Sequence, residues 1–247
     1  MSTKTVLITG GASGMGLLLG QCYAKEGANV VLADINQEAL DACVAEILTY
    51  HPNVIGVQVD VRKYDEVCRV RDAAVDRFGS IDILISCAGG AETRICNARG
   101  EFHENPIEVY DFGIDVNLKG AFYFDHAVMA QMVKQNSGVI IHLGSITGEE
   151  GSGNAVAYAA SKSALMHGVT KSIALAGEHH NVRCVCIAPG PVLTRPAMAG
   201  MKTLAGRAAE PQEIVDMIMY AASDKCAFLN GVTVLMDGGR SVMFNKI

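Results

Sequence analysis

The chain has 247 residues, of which 50% are hydrophobic and 19% are charged, and its formal net charge is −6. This composition excludes a disordered chain, and an acidic balance without any block of Lys or Arg argues against binding to nucleic acid or to an anionic membrane. No apolar run approaches the roughly 18 residues that a membrane span needs and no signal-peptide pattern is present, so we expect a cytoplasmic protein.

Eight cysteines are scattered along the chain, and none forms a C-x-x-C pair. Cys184 and Cys186 alternate along an apolar run, with His179 and His180 just before it. Buried thiols in a strand belong to the core far more often than to a metal site. We therefore expect neither disulfides nor a bound metal.

Short β-branched runs alternate with helix-length amphipathic segments, which is typical of a parallel sheet covered by helices on both faces. The runs are KTVLIT, NVVLAD, VIGVQV, IDILIS, GVIIHL, VRCVCIA and VTVLMD. They are almost continuously apolar, as strands buried on both faces are. The sequence thus predicts a doubly wound α/β fold with a seven-stranded parallel sheet.

The intervening segments predict helices, and no linker, repeat or low-complexity tract divides the chain into parts. The predicted helices are 15–26, 36–49, 64–78, 107–135, 155–178 and 211–223. We expect a single domain over residues 1–247, with its functional groups at the carboxyl ends of the strands.

The first predicted strand ends in the glycine-rich stretch TGGASGMG, which leads directly into a helix. Glycines at positions 10, 14 and 16 permit a tight turn and a close approach of the backbone to a pyrophosphate, whose charge the helix N-terminus attracts. Such a motif alone is weak, but its place in the first βαβ unit favours dinucleotide binding over a simple turn.

Acidic residues end the second and third predicted strands. Asp34 stands where a carboxylate accepts hydrogen bonds from the adenosine ribose and repels a 2′-phosphate, and no Lys or Arg directly follows it, so we predict NAD rather than NADP. Asp34 is also placed to cap a helix, although Asn36 is an alternative cap. Asp60 and Val61 suit an adenine contact or simply a strand end.

The stretch AYAASKSAL places Tyr158 and Lys162 four residues apart, on one face of a predicted helix. A nearby cation favours the ionised form of a phenol, which suits general acid–base chemistry near neutrality. Taken alone, the pair is more typical of a solvated helix surface, where such pairs are common.

Five motifs follow one another along nearly the whole chain: Thr9-Gly10-x-x-x-Gly14-x-Gly16, Asn117, Ser145, Tyr158-x-x-x-Lys162 and Pro189-Gly190. In this order and at these intervals, the chain resembles the short-chain dehydrogenase/reductase family. The resemblance implies a single-domain Rossmann fold, a tetramer, and hydride transfer between a nicotinamide and a carbonyl or secondary alcohol.

The resemblance also implies roles for single residues. Tyr158 is expected to be the general acid/base and Lys162 to favour its ionised form and hold the nicotinamide ribose. Ser145 is expected to hydrogen-bond the substrate oxygen, and Asn117 to kink its helix and hold a water in a proton relay. The expected cofactor contacts are Gly10, Ser13, Gly14, Met15, Gly16, Asp34, Asp60, Val61, Ala88, Gly89, Tyr158, Lys162, Pro189, Val192 and Thr194.

The chain departs from the family pattern in two places. Ser86-Cys87-Ala88-Gly89 stands where the fourth strand of relatives ends in Asn-Asn-Ala-Gly, so the side-chain hydrogen bonds of that turn are in doubt. The substrate lid near 194–210 is short, which predicts a pocket that is open or completed by a partner subunit.

Two substrate classes remain open. The segments GAETRICNARGEFHENP and TGEEGSGN are polar and favour a sugar or polyol, to which we give a slight preference, whereas Met198, Met201 and Leu204 of the lid favour a steroid or other cyclic alcohol. A 3-oxoacyl reductase and an idle NAD-sensing protein are further alternatives. We expect a homotetramer with contacts through the helices at 107–135 and 155–178.

Overall fold

The centre of the protein is a seven-stranded parallel sheet, seen in a computed structural model that describes residues 3–245. The strand order is β3-β2-β1-β4-β5-β6-β7. The strands are β1 Thr5–Thr9, β2 Asn29–Asp34, β3 Val54–Gln58, β4 Ile83–Ser86, β5 Gly138–Leu143, β6 Val182–Pro189 and β7 Val232–Met236. The predicted seven-stranded Rossmann fold is confirmed. The order reverses between β1 and β4, and open α/β sheets bind ligands at such a point.

The central strands are buried on both faces, as their apolar sequences predict. Successive side chains of a strand point to opposite faces. Val6 and Ile8 accordingly pack into the core on one side of the sheet, while Leu7 packs into the core on the other. All three are 0% exposed.

Ten α-helices connect and cover the strands of the described chain. They are α1 Gly14–Lys25, α2 Gln37–Leu48, α3 Tyr64–Phe78, α4 Glu92–Ile95, α5 Ile107–Ile114, α6 Gly120–Gln135, α7 Thr147–Glu150, α8 Val156–Ala164, α9 Thr170–Ala176 and α10 Pro211–Ala222. The six predicted helical regions are all found, but the short helices α4 and α7 were not predicted. Between residues 3 and 245 no helix is long and apolar enough to cross a membrane.

Each of the two long predicted helices contains a π-helical turn. Asp115–Lys119 separates α5 from α6, and Leu165–Val169 separates α8 from α9. A π turn keeps the chain helical, so hydrophobic periodicity predicts the extent of the helix without showing the interruption. Such turns are frequent at functional sites.

A charged network lies inside the core next to β5. His142 and Asp125 are both 0% exposed. The Nε2 atom of His142 is 3.0 Å from Oδ2 of Asp125, and its Nδ1 atom is 2.9 Å from the hydroxyl of Thr170. Burial disfavours the imidazolium, but the Asp125 carboxylate and the nearby Cys184 outweigh burial and hold the pKa of His142 well above its usual value.

The His142–Asp125 pair should make folding stability depend on pH. Because the pKa of His142 is raised in the folded state, its contribution is complete below the unfolded value of about 6.5 and is lost as the pH rises through the folded value. We expect the free energy of unfolding to fall by up to about 1.4 kcal/mol per pH unit in that window. Urea denaturation between pH 6 and pH 9 measures this change.

Asp125→Asn is the control for the other titrating groups. It should cost about 3–5 kcal/mol at pH 6, because it leaves a buried polar partner uncompensated, and it should flatten the pH dependence. Equal pH dependence in the two proteins would contradict this account of the pair.

Candidate active site

The glycine-rich turn lies between β1 and α1 and needs glycine at two positions. Gly10 has φ of +66°, in the left-handed region that glycine adopts readily. A Cβ at Gly16 would overlap the carbonyl oxygen of Gly10. The hydroxyl of Thr9 accepts a hydrogen bond of 3.1 Å from the backbone N–H of Ala88, which joins this turn to the end of β4. The backbone is thus open to a pyrophosphate, and the turn fits a dinucleotide.

Asp34 ends β2 directly behind the glycine-rich turn. Its Oδ2 atom accepts a hydrogen bond of 3.0 Å from the N–H of Ala12, and its Oδ1 atom accepts one of 3.1 Å from the N–H of Asn36. Asn36 itself caps α2 by accepting from the N–H of Ala39. The capping alternative therefore belongs to Asn36, and the Asp34 carboxylate lines the cleft.

The end of β3 carries an ion pair that the sequence did not reveal. Arg62 donates from Nε and Nη2 to the Asp60 carboxylate, at 2.7 Å for the shortest contact, and its guanidinium lies 5.1 Å from the centre of the Phe112 ring. The hydrogen bonds from Arg62 lower the pKa of Asp60 and outweigh its partial burial. Arg62 is thus a cation within the cleft, but Asp60 offsets its charge.

Asn117 lies in the π turn and fixes the backbone that follows β4. Its Oδ1 atom accepts a hydrogen bond of 2.8 Å from the N–H of Gly90, while Nδ2 donates to the carbonyls of Gly90 at 3.0 Å and of Gly113 at 2.9 Å. The side chain is 1% exposed, and a Cβ at Gly89 would overlap its oxygen. Asn117 thus holds the backbone of the turn that follows Ser86-Cys87.

Tyr158 and Lys162 meet at the end of β5. The Lys162 ammonium is 5.6 Å from the centre of the Tyr158 ring and donates a 2.6 Å hydrogen bond to the carbonyl of Leu143. Lys162 is 3% exposed, so it does not belong to a solvated helix face. Ser145 follows Leu143 by two residues, and its hydroxyl accepts from the N–H of Thr147 at 3.1 Å.

One cleft of about 570 Å³ holds most of the predicted site. The predicted residues that line it are Gly10, Ser13, Gly14, Met15, Gly16, Asp34, Asp60, Val61, Ala88, Gly89, Tyr158, Lys162 and Thr194. Four predicted residues do not line it, namely Asn117, Ser145, Pro189 and Val192. Val192 is buried and pairs with Ala209 of the lid region, and Thr194 donates its N–H to the carbonyl of Val192.

Further cleft residues were not assigned from sequence. Cys87 lines the floor, and burial raises the pKa of its thiol to about 12, so the thiol stays neutral. Arg94 and Arg195 also line the cleft, and no carboxylate among residues 3–245 pairs with either guanidinium. The sequence placed Arg94 in a substrate loop, but only the fold places it in the cleft, where its guanidinium lies against Gly90.

Comparison with known proteins agrees with this geometry. The family model described as short chain dehydrogenase matches residues 4–204. The chain belongs to this family. Short-chain dehydrogenases are oxidoreductases that use a nicotinamide dinucleotide, NAD or NADP, and a glycine-rich turn open to a pyrophosphate is what such a cofactor needs.

Three relatives illustrate the range of substrates in the family. The chain is 33% identical to the 3-oxoacyl-[acyl-carrier-protein] reductase FabG of Thermotoga maritima, over 96% of this chain and 97% of that protein. It is 35% identical to a trans-4-hydroxycyclohexanecarboxylate dehydrogenase of Sinomonas cyclohexanicum, over 98% and 94%. It is 34% identical to 3beta-hydroxysteroid dehydrogenase 2 of Eggerthella lenta, over 98% and 96%.

Gly16→Ala should weaken dinucleotide binding. The added methyl would overlap the carbonyl oxygen of Gly10, so the start of α1 must move away from the turn that faces the pyrophosphate. We expect NADH affinity to fall by at least about tenfold, a loss of roughly 1.4 kcal/mol. Fluorescence titration with NADH measures it.

Gly168→Ala is the matched control. Gly168 is exposed, and among the described residues no atom outside its own stretch of helix lies within 4 Å of the place that an added methyl would occupy. Its NADH affinity should equal that of the wild type. Wild-type affinity in Gly16→Ala would mean that the turn does not contact the cofactor.

Proposed function

We propose that the protein is an NAD-dependent dehydrogenase that interconverts a secondary alcohol and a ketone. One observation carries this proposal: the buried Lys162 ammonium lies 5.6 Å from the Tyr158 ring in the cleft that begins at the glycine-rich turn. A phenol beside a fixed cation is a suitable proton acceptor for an alcohol and a suitable donor to a ketone.

The proposed mechanism assigns one task to each side chain. When bound, the nicotinamide supplies the acceptor or donor of hydride. In alcohol oxidation Tyr158 accepts the hydroxyl proton, and in ketone reduction it returns a proton to the same oxygen. Ser145 hydrogen-bonds that oxygen and stabilises the charge that develops on it. Asn117 holds the Gly89–Gly90 turn and contributes to a water relay toward Lys162.

Lys162 has the donors for its proposed second role. An ammonium has three N–H groups, and one of them is used by the carbonyl of Leu143. The remaining two are proposed to hold the nicotinamide ribose hydroxyls and the relay water. The backbone of Val192 and the hydroxyl of Thr194 are proposed to hold the carboxamide, with Pro189 shaping their loop.

A cyclic secondary alcohol is the substrate class that the relatives favour. Two of the three are named for cyclic alcohols, a hydroxycyclohexanecarboxylate and a hydroxysteroid. The lid residues Met198, Met201 and Leu204 do not line the cleft, so this preference rests on the relatives alone. The polar segments that favour a polyol keep that class as the second candidate. The charge of Asp34 disfavours a 3-oxoacyl reductase that works with NADP.

We further propose a cytoplasmic homotetramer. Phe122 on α6 is 50% exposed and Leu175 on α9 is 71% exposed, which leaves apolar side chains on both helices expected to form contacts. Light scattering coupled to gel filtration tests the assembly. The cytoplasmic location rests on the sequence pattern alone.

Tyr158→Phe should abolish alcohol oxidation while leaving NADH affinity within about threefold of the wild type, because it removes only the proton acceptor. Lys162→Met should weaken both turnover and NADH binding, since the ammonium serves both. NADH formation with a panel of cyclic alcohols and polyols, together with fluorescence titration, measures the two effects.

Turnover retained in Tyr158→Phe would refute the role of the phenol. Tight NADH binding by the wild type with no turnover of any alcohol would instead favour the NAD-sensing alternative.

Asp34→Asn should narrow the preference for NAD over NADP by about tenfold or more, because the charge that repels a 2′-phosphate is removed while the side chain keeps its shape. Ratios of kcat/KM for the two cofactors measure the change. A wild-type enzyme that prefers NADP would overturn the assignment of Asp34.

A further inference from the structure

Glu92 is a fully buried carboxylate in the segment that follows β4. It begins α4, and its side chain is 0% exposed. No Lys, Arg or His in the described chain forms an ion pair with it. Burial of a carboxylate is costly unless hydrogen bonds compensate for the lost water, so its partners must be strong ones.

The partners of Glu92 are two backbone N–H groups of the helix that carries Tyr158. Oε1 accepts from the N–H of Ala157 at 2.9 Å, and Oε2 accepts from the N–H of Tyr158 at 3.0 Å. These are the second and third residues of α8, and first-turn N–H groups have no acceptor within their own helix. The residue before α8, Ala155, offers no side-chain cap. A carboxylate 65 positions away in the chain performs this task.

The position of Glu92 is fixed from two further directions. A Cβ at Gly113 of α5 would lie 2.7 Å from Cβ of Ala157 and 2.9 Å from Cβ of Glu92, so the three residues pack without spare room. Two residues before Glu92, the N–H and the carbonyl of Gly90 are both held by Asn117. The Gly89–Gly90 turn and the first turn of α8 are therefore joined through Glu92.

We propose that Glu92 is a positioning residue for Tyr158. Its carboxylate sets the height and rotation of the first turn of α8, and thereby the point at which the phenol enters the cleft. This inference rests on the proposed function, in which Tyr158 is the acid/base. A displacement of about 1 Å at a reacting group costs on the order of 100-fold in rate, so an anchor at the backbone of that residue matters.

The isosteric variant Glu92→Gln tests the inference. A glutamine keeps one acceptor oxygen but turns an NH₂ group toward the other N–H, so the helix start must shift. We expect kcat to fall by about 10- to 100-fold and KM for NAD to change by less than about threefold. The deuterium isotope effect on kcat should rise as hydride transfer becomes limiting. Glu92→Asp keeps both acceptor oxygens, so its kcat should lie between those of Glu92→Gln and the wild type. If Glu92→Gln does not fold, Glu92→Asp tests the inference in its place.

Asp82→Asn is the matched control. The Asp82 carboxylate accepts a 2.7 Å hydrogen bond from the N–H of Thr5 at the amino edge of the sheet, far from the cleft. The same chemical change there should lower Tm without changing kcat or the isotope effect.

A readout independent of activity separates this inference from the proposed function. In protein carrying ¹³C-labelled tyrosine, the signal of Tyr158 is the one missing from the Tyr158→Phe variant. Glu92→Gln or Glu92→Asp should shift or broaden it, and Asp82→Asn should not. An unchanged Tyr158 signal and unchanged kcat, with only a lower Tm, would overturn the inference. A shifted signal in a protein that oxidises no alcohol would support the positioning role and reject the proposed function.

Discussion

The site depends on the hydrogen bond from the Lys162 ammonium to the carbonyl of Leu143. An ammonium that is 3% exposed needs strong acceptors, and Leu143 supplies one at 2.6 Å where β5 ends. This contact ties α8 to the sheet at the edge where ligands bind. The strand register aligns the ends of three neighbouring strands, because Thr9 of β1 pairs with Ser86 of β4 and Ser86 pairs with His142 of β5. The glycine-rich turn, the turn after β4 and the segment that leads from β5 to α8 therefore begin at neighbouring strand ends.

The π turn between α5 and α6 shows why that helix is not regular. It places Asn117 where its amide satisfies both the N–H and the carbonyl of Gly90 and the carbonyl of Gly113. A buried amide with these partners fixes the backbone of the turn. The backbone that follows Ser86-Cys87 is thus supported from the side of the helix.

Whether a feature could be predicted from the sequence depends on how far apart along the chain its interacting residues lie. The strands, the longer helices and the glycine-rich turn depend on local composition and periodicity, and all of these were predicted. The pairing of Asp60 with Arg62 is close in sequence but needed the fold to place it in the cleft. The hydrogen bond from the N–H of Tyr158 to Glu92 joins residues 66 positions apart, and the contact between His142 and Asp125 joins residues 17 positions apart. Neither contact produces a periodic pattern in the sequence. Long-range polar contacts of this kind depend on which faces meet, which only the three-dimensional structure fixes.

The contacts of Glu92 and Lys162 explain how α8, which continues through the π turn into α9, can serve as a rigid support for the phenol. Glu92 places a negative charge at its N-terminus, and Lys162 lies in its last turn. The charge of Glu92 agrees with the helix dipole, which favours anions at the N-terminus. Each buried charge is offset by backbone groups that cannot move independently of the fold. The position of Tyr158 is thereby coupled to the strand end at Leu143 and to the turn held by Asn117.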